Sequence, residues 1–436
     1  MMKKNRTIYF LLALVCLGLQ SCLFQEEDYF DDSSANRATA DVKRCSELLE
    51  AAPNGWVMEY YVGKDYSLGG ITLLCKFDGQ RVTMASQIAG ADETVSSLYS
   101  VKSEQATMLS FDTYNYLVHY FGQPQGSMAD DPNGTLGGDY EFVISDATAD
   151  RIELKGKKYG NRIVMKAFSA DQTWKQYLTR IKKVEDDAFF YEYDLRMDGL
   201  YTGQMLRSNY TFIVTYYDEV GKVHQKTVSF MFTTDGMRFH EPVTIDGQTM
   251  QNFVWKNEEI SFVCTDEGAT GVKMKGIYID GYQSYDYYPG TYLMDFYRLN
   301  GATNQLEVAS QEIQLVKDED GKSYWLKGLE YDILVTYDKP RGGLSILPQF
   351  LKKVQGGYVY LAMWDLMNDY VLRSSAIGLI SYPTTDGIYL VDNGVWMGEI
   401  SGFIFGVYDS QDEEASFMGY TDAVAAIRLV KKTIEE

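Results

Sequence analysis

The sequence predicts a mainly β protein, built of antiparallel units in tandem with a few short helices. Short runs rich in Tyr, Val, Ile, Phe and Thr recur beyond residue 55, and Gly, Asn and Asp separate them, which is the pattern of strands joined by turns. Asp-Gly pairs lie between several of these runs, and this dipeptide is a strong hairpin signal. The chain has 436 residues, of which 45% are hydrophobic, so its length favours about three domains.

Three helices are predicted from apolar side chains at helical spacing. The first runs over Asn36–Ala52, with Ser33 or Ser34 as its cap and Pro53-Asn54-Gly55 at its end. The other two helices have a polar cap followed by an apolar stripe: Asp112 before Tyr114, Leu117, Val118 and Phe121, and Ser169 and Asp171 before Trp174, Leu178 and Ile181.

Seven strands are predicted between the first helix and the third. Each is a short apolar or alternating run that ends at a turn residue. They are Trp56–Val62, Ile71–Phe77, Arg81–Ala85, Leu98–Val101, Tyr140–Ser145, Arg151–Lys155 and Arg162–Ala167.

Internal similarity suggests that a β unit is repeated. Residues 141–156 align without gaps on residues 261–276 with six of sixteen positions identical, and both segments have the pattern strand, turn, strand. Further echoes link residues 78–81 to 235–238, 210–216 to 331–337 and 233–236 to 384–387. We therefore expect a unit of about 120 residues to recur, beginning near Trp56, Tyr210 and Tyr331. The alternative is chance, because β proteins draw on few strand residues.

These patterns divide the chain into lipocalin-like barrels or sandwiches behind an N-terminal leader. The last two units are also compatible with one larger domain. The predicted segments are a signal peptide over residues 1–21, an acidic tether over 22–36, a β domain with its leading helix over 37–190, a second β unit over 195–320 and a third over 325–436.

The N-terminus has the features of a bacterial lipoprotein leader. Basic residues precede an apolar stretch over Thr7–Leu19, which is shorter than the ~20 residues that span a bilayer. The following Leu19-Gln20-Ser21-Cys22 resembles a lipobox, in which cleavage precedes the cysteine and that cysteine carries the lipid. We expect Cys22 to be acylated, because several acyl chains hold a soluble domain on a membrane. The alternative is an ordinary leader with a chance cysteine.

The segment after Cys22 contains five acidic residues and no basic one up to residue 34. A stretch of like charges stays solvated and extended, which suits a tether. It looks like the acidic signal that exports Bacteroidetes lipoproteins to the outer face of the outer membrane. We therefore expect an outer-membrane lipoprotein at the cell surface, and a spacer facing the periplasm is the alternative.

Charge and cysteine content exclude several classes. The chain has 40 basic and 61 acidic residues, a net charge of −21, which is opposite to the basic footprint of a nucleic-acid-binding protein. Loss of three basic residues with the leader would bring the charge to −24. The widely spaced Cys45, Cys75 and Cys264 form neither a disulfide framework nor a metal motif, so we expect them to be small core residues.

No catalytic, cofactor-binding or metal-ligating set is predicted. The three histidines, His119, His224 and His240, are too far apart for a helical zinc motif, and the nucleophile-elbow and phosphate-loop motifs are absent from the sequence. Carboxylates are plentiful, so the alternative of a glycosidase-like hydrolase with two cleft carboxylates remains open.

A tyrosine-rich segment over residues 277–297 is the predicted ligand-binding site. Exposed aromatic rings stack on sugar rings or peptide side chains, and neighbouring carboxylates accept hydrogen bonds from hydroxyl groups. The alternative is that these tyrosines are ordinary strand residues with one side in the core. The candidate ligand-binding residues are Tyr278, Tyr282, Tyr285, Tyr287 and Tyr288, with Asp280 and Asp286, and the segment also contains Tyr292.

The whole chain resembles an uncharacterised family of Bacteroidetes surface lipoproteins. The resemblance rests on the lipobox, the acidic tether, the first helix running into Ala52-Pro53-Asn54-Gly55-Trp56, and the segment from Gly156 to Arg162 followed by a helix bearing Trp174. It implies an accessory protein that binds a glycan, a peptide or a partner in an outer-membrane uptake complex, without catalysis. The other alternative is a structural spacer.

Overall fold

The computed structural model describes residues 33–124, 134–218, 220–412 and 414–432. The predicted leader, Cys22 and most of the acidic tether lie outside the described residues. The described chain is mainly antiparallel β, which confirms the predicted fold class. None of its helices combines the length and apolar character needed to cross a bilayer. The α-helices of these residues are α1 (Ser34–Glu50), α2 (Tyr116–His119) and α3 (Trp174–Asp187).

The first sheet is a closed barrel of eight antiparallel strands. Its strands follow chain order, and β1 pairs with both β2 and β8, which closes the ring. Its strands are β1 (Trp56–Val62), β2 (Gly69–Asp78), β3 (Arg81–Ser86), β4 (Val95–Ser103), β5 (Thr107–Phe111), β6 (Glu141–Ala147), β7 (Arg151–Gly156) and β8 (Arg162–Ala167).

The second sheet is also a closed barrel of eight strands. It runs in chain order from β10 to β16, and β9 pairs with both ends of that series. Its strands are β9 (Glu192–Met197), β10 (Leu200–Ser208), β11 (Thr211–Tyr217), β12 (Val223–Phe232), β13 (Gly236–Ile245), β14 (Gln248–Lys256), β15 (Ser261–Cys264) and β16 (Val272–Ile277).

The third sheet has twelve strands. A pairing between its first and last strands, β17 and β28, closes β17–β21, β25, β26 and β28 into a ring of eight, and β27, β23 and β22 extend from β28. The strands are β17 (Gly290–Asn300), β18 (Gln305–Lys317), β19 (Ser323–Lys327), β20 (Ile333–Asp338), β21 (Gly343–Ile346), β22 (Gln349–Val354), β23 (Gly357–Asp365), β24 (Tyr370–Leu372), β25 (Leu379–Thr384), β26 (Gly387–Asp392), β27 (Gly402–Tyr408) and β28 (Phe417–Lys431).

The described chain divides into two compact units. The first unit contains the described residues up to Val184 with Asn209–Thr211 and Thr227–Val243. The second unit contains Glu185–Ser208, Phe212–Lys226 and the described residues from Thr244 onward. The predicted division at residues 195, 320 and 325 concerns separate domains and stays a prediction.

The predicted starting points of the repeat need correction. The second barrel begins at Glu192 and the third sheet at Gly290, so Tyr210 and Tyr331 do not mark the starts of these sheets. The aligned segments 141–156 and 261–276 form the hairpins β6–β7 and β15–β16, which are the sixth and seventh strands of one barrel and the last two of the other. The two aligned hairpins therefore lie at different positions in the two barrels, and the duplication itself stays a prediction.

The core of the first barrel explains the segment that joins α1 to β1. Trp56 is fully buried, and its Nε1 donates to the carbonyl oxygen of Leu49 at 2.8 Å, which attaches the end of α1 to the barrel. Gly55 between them has φ +83°, a conformation that favours glycine. Cys45, Cys75 and Cys264 are buried and form no disulfide among the described residues, which confirms that they are small core residues.

The second predicted helix is shorter than expected and has a different cap. It spans only Tyr116–His119, because Asn115 takes an extended conformation and its side chain accepts from the backbone N–H of Leu117 at 3.1 Å. Asp112 is therefore not the cap. For α1, Ser33 is the cap, since its Oγ accepts from the backbone N–H of Asn36 at 3.2 Å.

The Gly156–Arg162 segment that carries the family resemblance surrounds a buried carboxylate. Asp139 is 3% exposed, and its oxygens accept from the backbone N–H of Lys158 at 2.7 Å and from Asn161 Nδ2 at 3.0 Å. Asn161 Nδ2 also donates to the carbonyl oxygen of Gly137 at 2.7 Å. Burial raises the pKa of the Asp139 carboxyl, and the N–H donors oppose that shift. This part of the motif maintains the fold of the first barrel.

Candidate functional site

The structure buries part of the predicted tyrosine site. Tyr288 and Tyr292 are both 0% exposed and belong to the core of the third sheet, so the expectation of exposed ring faces is wrong for them. Tyr288 Oη donates to the carbonyl oxygen of Gly342 at 2.8 Å, and Tyr292 Oη donates to that of Tyr288 at 2.7 Å. A tyrosine can face a core in this way because a backbone acceptor satisfies its hydroxyl group.

In the middle of the tyrosine segment, residues 285–287 contact other side chains of the protein. The half-buried Tyr285 stacks on Tyr324 with ring centroids 4.7 Å apart, and its Oη donates to the carbonyl oxygen of Ser323 at 2.8 Å. The exposed Asp286 forms an ion pair with Lys317. Tyr287 is exposed, and the Lys431 ammonium lies 5.1 Å from its ring centroid.

The start of the segment forms an aromatic cluster with the residues that precede β9. The rings of Tyr278 and Tyr282 lie 4.4 Å apart, and Phe189 stacks on Tyr282 at 6.0 Å with an interplanar angle of 14°. Lys339 places its ammonium 5.1 Å from the Phe189 ring and donates to Asp186 Oδ2 at 2.9 Å. The cluster thus joins residues 186–189, 278–282 and 339 within the second unit.

A cavity of about 600 Å³ lies beside this cluster in the second unit, and we call it the Tyr382 cavity. Its volume falls within the range of small-ligand sites. Tyr382 and Tyr191 are 62% and 51% exposed, so both retain ring surface for a ligand. The lining residues are Tyr191, Ile279, Asp280, Gly281, Asp338, Arg341, Gly342, Gly343, Leu344, Ile380, Ser381, Tyr382 and Pro383.

The turn between β20 and β21 shapes one wall of the Tyr382 cavity. Tyr337, at the end of β20, donates through its Oη to the carbonyl oxygen of Gln283 at 2.8 Å and contacts Tyr282 Oη at 3.0 Å. Burial raises the pKa of the Tyr337 and Tyr282 hydroxyls, so both stay protonated at neutral pH. These bonds hold the tyrosine segment against the turn and fix the position of Gly342.

The opposite wall comes from β25. Ser381 Oγ accepts from the backbone N–H of Leu344 at 2.7 Å, which attaches β25 to β21. Side chains alternate along a strand, so Ser381 and Tyr382 point to opposite faces of the sheet. The Tyr382 side chain therefore takes no part in the hydrogen bond that joins β25 to β21.

The charged groups of the Tyr382 cavity are two carboxylates and one guanidinium. Arg341 Nε lies 3.7 Å from Asp338 Oδ2, and the backbone N–H of Arg341 donates to Asp338 Oδ1 at 3.3 Å. Asp280 is exposed and lies on the tyrosine segment. Carboxylates accept hydrogen bonds and a guanidinium donates them, so the cavity offers both kinds of partner to a hydroxyl-rich ligand.

Only part of this site was predicted from the sequence. Of the predicted site residues, Asp280 lines the cavity, and Tyr278 and Tyr282 form the cluster beside it. Tyr285, Tyr287, Tyr288 and Asp286 do not line the Tyr382 cavity. Tyr191, Arg341 and Tyr382 were missed, and no local motif distinguishes them from other strand and turn residues.

The three histidines lie apart from the Tyr382 cavity and have local partners. His224 Nε2 lies 2.9 Å from Asp218 Oδ2, and His119 Nδ1 lies 3.0 Å from the carbonyl oxygen of Asn115. His240 packs against two tyrosine rings, each with its centroid at 4.2 Å. Across the ranges that the structure describes, no group of three or more His, Cys, Asp or Glu side chains is arranged to hold a metal ion.

Comparison with known proteins gives two family matches. A family model described as a domain of unknown function, DUF4302, matches residues 26–257, and a second such model, DUF4987, matches residues 265–404. The first match includes Tyr191, and the second includes the other residues that line the Tyr382 cavity. No curated protein matches the sequence.

One solved structure matches the chain at low sequence identity. It is a protein of unknown function from the DUF3598 family of Nostoc punctiforme, with 8% sequence identity. The match covers 57% of this chain and 99% of that protein, with a TM-score of 0.15. At that TM-score it carries no argument about this chain.

Proposed function

The chain belongs to the DUF4302 family of domains of unknown function, and from this premise we propose that it binds an extracellular glycan, without catalysis, in the Tyr382 cavity. This membership confirms the expected resemblance to an uncharacterised family. The observation that carries the proposal is the pair of exposed rings, Tyr191 and Tyr382, which lines the same cavity as Asp280, Asp338 and Arg341.

This combination fits the chemistry of a sugar. The C–H face of a sugar ring is apolar and packs on an exposed aromatic ring, while its hydroxyl groups both donate and accept hydrogen bonds. The carboxylates of Asp280 and Asp338 accept such bonds, and the guanidinium of Arg341 donates them. Peptides and an outer-membrane partner protein are the other ligand classes to be tested.

A glycosidase-like hydrolase is the second candidate, because Asp280 and Asp338 line the same cavity. Hydrolysis with paired carboxylates requires one of them to act as a general acid, typically in apolar surroundings that favour its protonated form. Asp280 is exposed, and Asp338 lies beside the Arg341 guanidinium. Neither carboxylate lies in apolar surroundings of that kind, so we favour binding over hydrolysis.

The mature chain carrying Cys22→Ser tests this proposal. A glycan array identifies the glycans that it binds, and calorimetry measures their affinity. Each of Tyr191→Ala and Tyr382→Ala is expected to weaken binding about 10-fold, and the double variant about 100-fold. Aromatic rings that a ligand covers contribute a large share of the binding free energy. Tyr217→Ala is the matched control, since Tyr217 is also 51% exposed but lies outside the cavity, and it should leave the affinity unchanged.

Three results would contradict the proposal. Equal affinity of the double variant and the wild type would place the glycan elsewhere. Binding only to peptides or outer-membrane proteins would replace the glycan as ligand. Turnover of a bound glycan that is lost in both Asp280→Asn and Asp338→Asn would establish the hydrolase.

We further propose that Cys22 carries a lipid that holds this Bacteroidetes-type lipoprotein at the outer face of the outer membrane, where it would serve an uptake complex. The leader, the Leu19–Cys22 lipobox and the acidic stretch after it support this. Mass spectrometry of protein extracted from membranes should find an acylated N-terminal Cys22, and Cys22→Ser should move the protein to the soluble fraction. Cys16→Ser, a change within the leader, is the control and should not. A free Cys22 thiol in the membrane-extracted protein would contradict the proposal.

A further inference from the structure

Another cavity, of about 390 Å³, lies in the first unit beside β7 and β8. We call it the Lys155 cavity. Its charged lining residues are Lys155, Arg162 and Glu153, and Tyr66 also lines it. The function proposed above does not use any of these residues.

Two cations face each other in this cavity. Lys155 on β7 and Arg162 on β8 are directly opposite in the strand register, and both are exposed. Like charges at directly opposite positions destabilise a β pair. Within the described part of the chain, neither side chain forms an ion pair, although the sequence has a net charge of −21. The pair thus has a cost in stability that no described acidic residue offsets by direct contact.

Three residues between Lys155 and Arg162 already have structural roles. Gly156 and Asn161 surround the buried Asp139. Lys157 forms ion pairs with Glu104 at 2.9 Å and Glu141 at 3.1 Å. Lys155 and Arg162, which flank these residues, are therefore two charged side chains that the fold leaves without a described counter-ion.

The acidic residue in the cavity is neutralised by another arginine. Glu153 Oε1 accepts from Arg151 Nε at 3.1 Å and from Arg151 Nη2 at 2.8 Å. The charges of Glu153 and Arg151 offset each other, so the positive charges of Lys155 and Arg162 in the cavity are not compensated by Glu153. An anionic group is the ligand that this charge favours.

The aromatic side of the Lys155 cavity is held in a strained conformation. Tyr66 has φ +60° and follows Asp65 with φ +54°, both in the left-handed region that non-glycine residues seldom adopt. Ser229 Oγ donates to the carbonyl oxygen of Tyr66 at 2.8 Å, and the Tyr66 ring packs on His240 with centroids 4.2 Å apart. Such strain persists only where surrounding contacts impose it, and it is frequent at ligand sites.

We propose that the Lys155 cavity binds an oxyanion, a phosphate or sulfate group, between Lys155 and Arg162. The guanidinium of Arg162 binds two oxygens of such a group at once, and the ammonium of Lys155 contributes a second positive charge. The group is either a free inorganic anion, a substituent on a sugar or the headgroup of a lipid.

The pKa of the His240 imidazole provides a second, independent measure of anion binding in the Lys155 cavity. Burial lowers its pKa; Glu241 opposes this effect, and the nearby charges of Arg162 and Arg238 lower the pKa further. An anion bound at Arg162 would offset part of that positive charge and raise the pKa of His240. The chain contains only three histidines. The NMR signal that is missing from the spectrum of His240→Gln therefore belongs to the His240 imidazole, and that signal can be followed in a titration.

The test titrates the mature chain carrying Cys22→Ser with sulfate, phosphate and glucose 6-phosphate, with glucose as the neutral comparison. The three anions should bind and raise the pKa of His240, and glucose should do neither. The double variant Lys155→Gln with Arg162→Gln should bind at least about 10-fold more weakly, because it lacks both charges. The double variant Lys76→Gln with Arg81→Gln removes the same two charge types from exposed positions on β2 and β3 and should bind normally.

Stability distinguishes this role from a structural one. Removal of the facing charges should leave the melting temperature of the Lys155 and Arg162 double variant equal to or above that of the wild type. Tighter binding of glucose 6-phosphate than of phosphate would identify a substituted sugar, whereas binding to phosphatidylglycerol vesicles would identify a lipid headgroup. The proposal is overturned if none of the three anions binds, if the double variant binds them as well as the wild type, or if that variant is destabilised without loss of binding.

Discussion

Replacement of Gly156 by alanine is expected to destabilise the first barrel by about 3 kcal/mol. A Cβ at this position would lie 1.8 Å from Asp139 Oδ2 and 2.3 Å from its Cγ, so the carboxylate must move. Overpacking in a core costs about 1–3 kcal/mol, and a buried polar group that loses its partners costs about 1–3 kcal/mol more. Both costs apply here because Asp139 is almost fully buried and accepts from three N–H donors, on Lys158, Tyr159 and Asn161.

Urea unfolding followed by circular dichroism measures this loss. Gly301→Ala is the control, because a Cβ at Gly301 has no neighbour within 4 Å. The control should change the free energy of unfolding by less than about 0.5 kcal/mol, as is usual for surface positions. If both variants were equally stable, the buried Asp139 would not be the reason for glycine at position 156.

Replacement of Gly342 by alanine is expected to cost about 3 kcal/mol in the second unit and to abolish most ligand binding by the Tyr382 cavity. Gly342 has φ +60°, which costs an alanine about 1–2 kcal/mol. Its Cβ would also lie 2.7 Å from both the backbone nitrogen and the carbonyl oxygen of Gln283, which adds about 1–3 kcal/mol of overpacking. Displacement of Gln283 and Tyr282 would move the wall of the cavity.

Gly281→Ala separates the two contributions for Gly342. Gly281 also lines the Tyr382 cavity and has φ +76°, but a Cβ there meets nothing within 4 Å. It should therefore cost only the conformational part, about 1–2 kcal/mol, and preserve glycan binding. Calorimetry and thermal unfolding of both variants measure this difference. Equal loss of binding in the two variants would show that the contact of Gly342 with Gln283 does not shape the cavity.

Local sequence patterns were sufficient for most elements of the first barrel. The predicted strand Trp56–Val62 matches β1, and the predicted Arg162–Ala167 matches β8, because both runs follow turn residues and contain several β-branched or aromatic residues. The second helix was predicted too long. Its apolar stripe continues to Phe121, but the helix ends at His119. Helical spacing of apolar residues indicates a buried face, and it does not by itself set the length of a helix.

The candidate site was less accessible from the sequence. Composition drew attention to the tyrosine segment, including Asp280, which lines the Tyr382 cavity, yet it could not tell exposed tyrosines from buried ones. Whether Tyr288 faces the core or solvent depends on the strands that cover it, and its hydroxyl is satisfied by Gly342, 54 residues away. Tyr191 and Tyr382 are separated by 191 positions, so no local pattern could bring them together.

The sequence alone determined the β class, the hairpin turns, the buried cysteines and the presence of α1, because these depend on alternation, turn chemistry and helical spacing between near neighbours. Only the tertiary structure decided the closure of the barrels, the burial of Tyr288 and the two cavities. Those features depend on pairing between distant strands, as when β17 meets β28, and pairing at that separation depends on the whole fold.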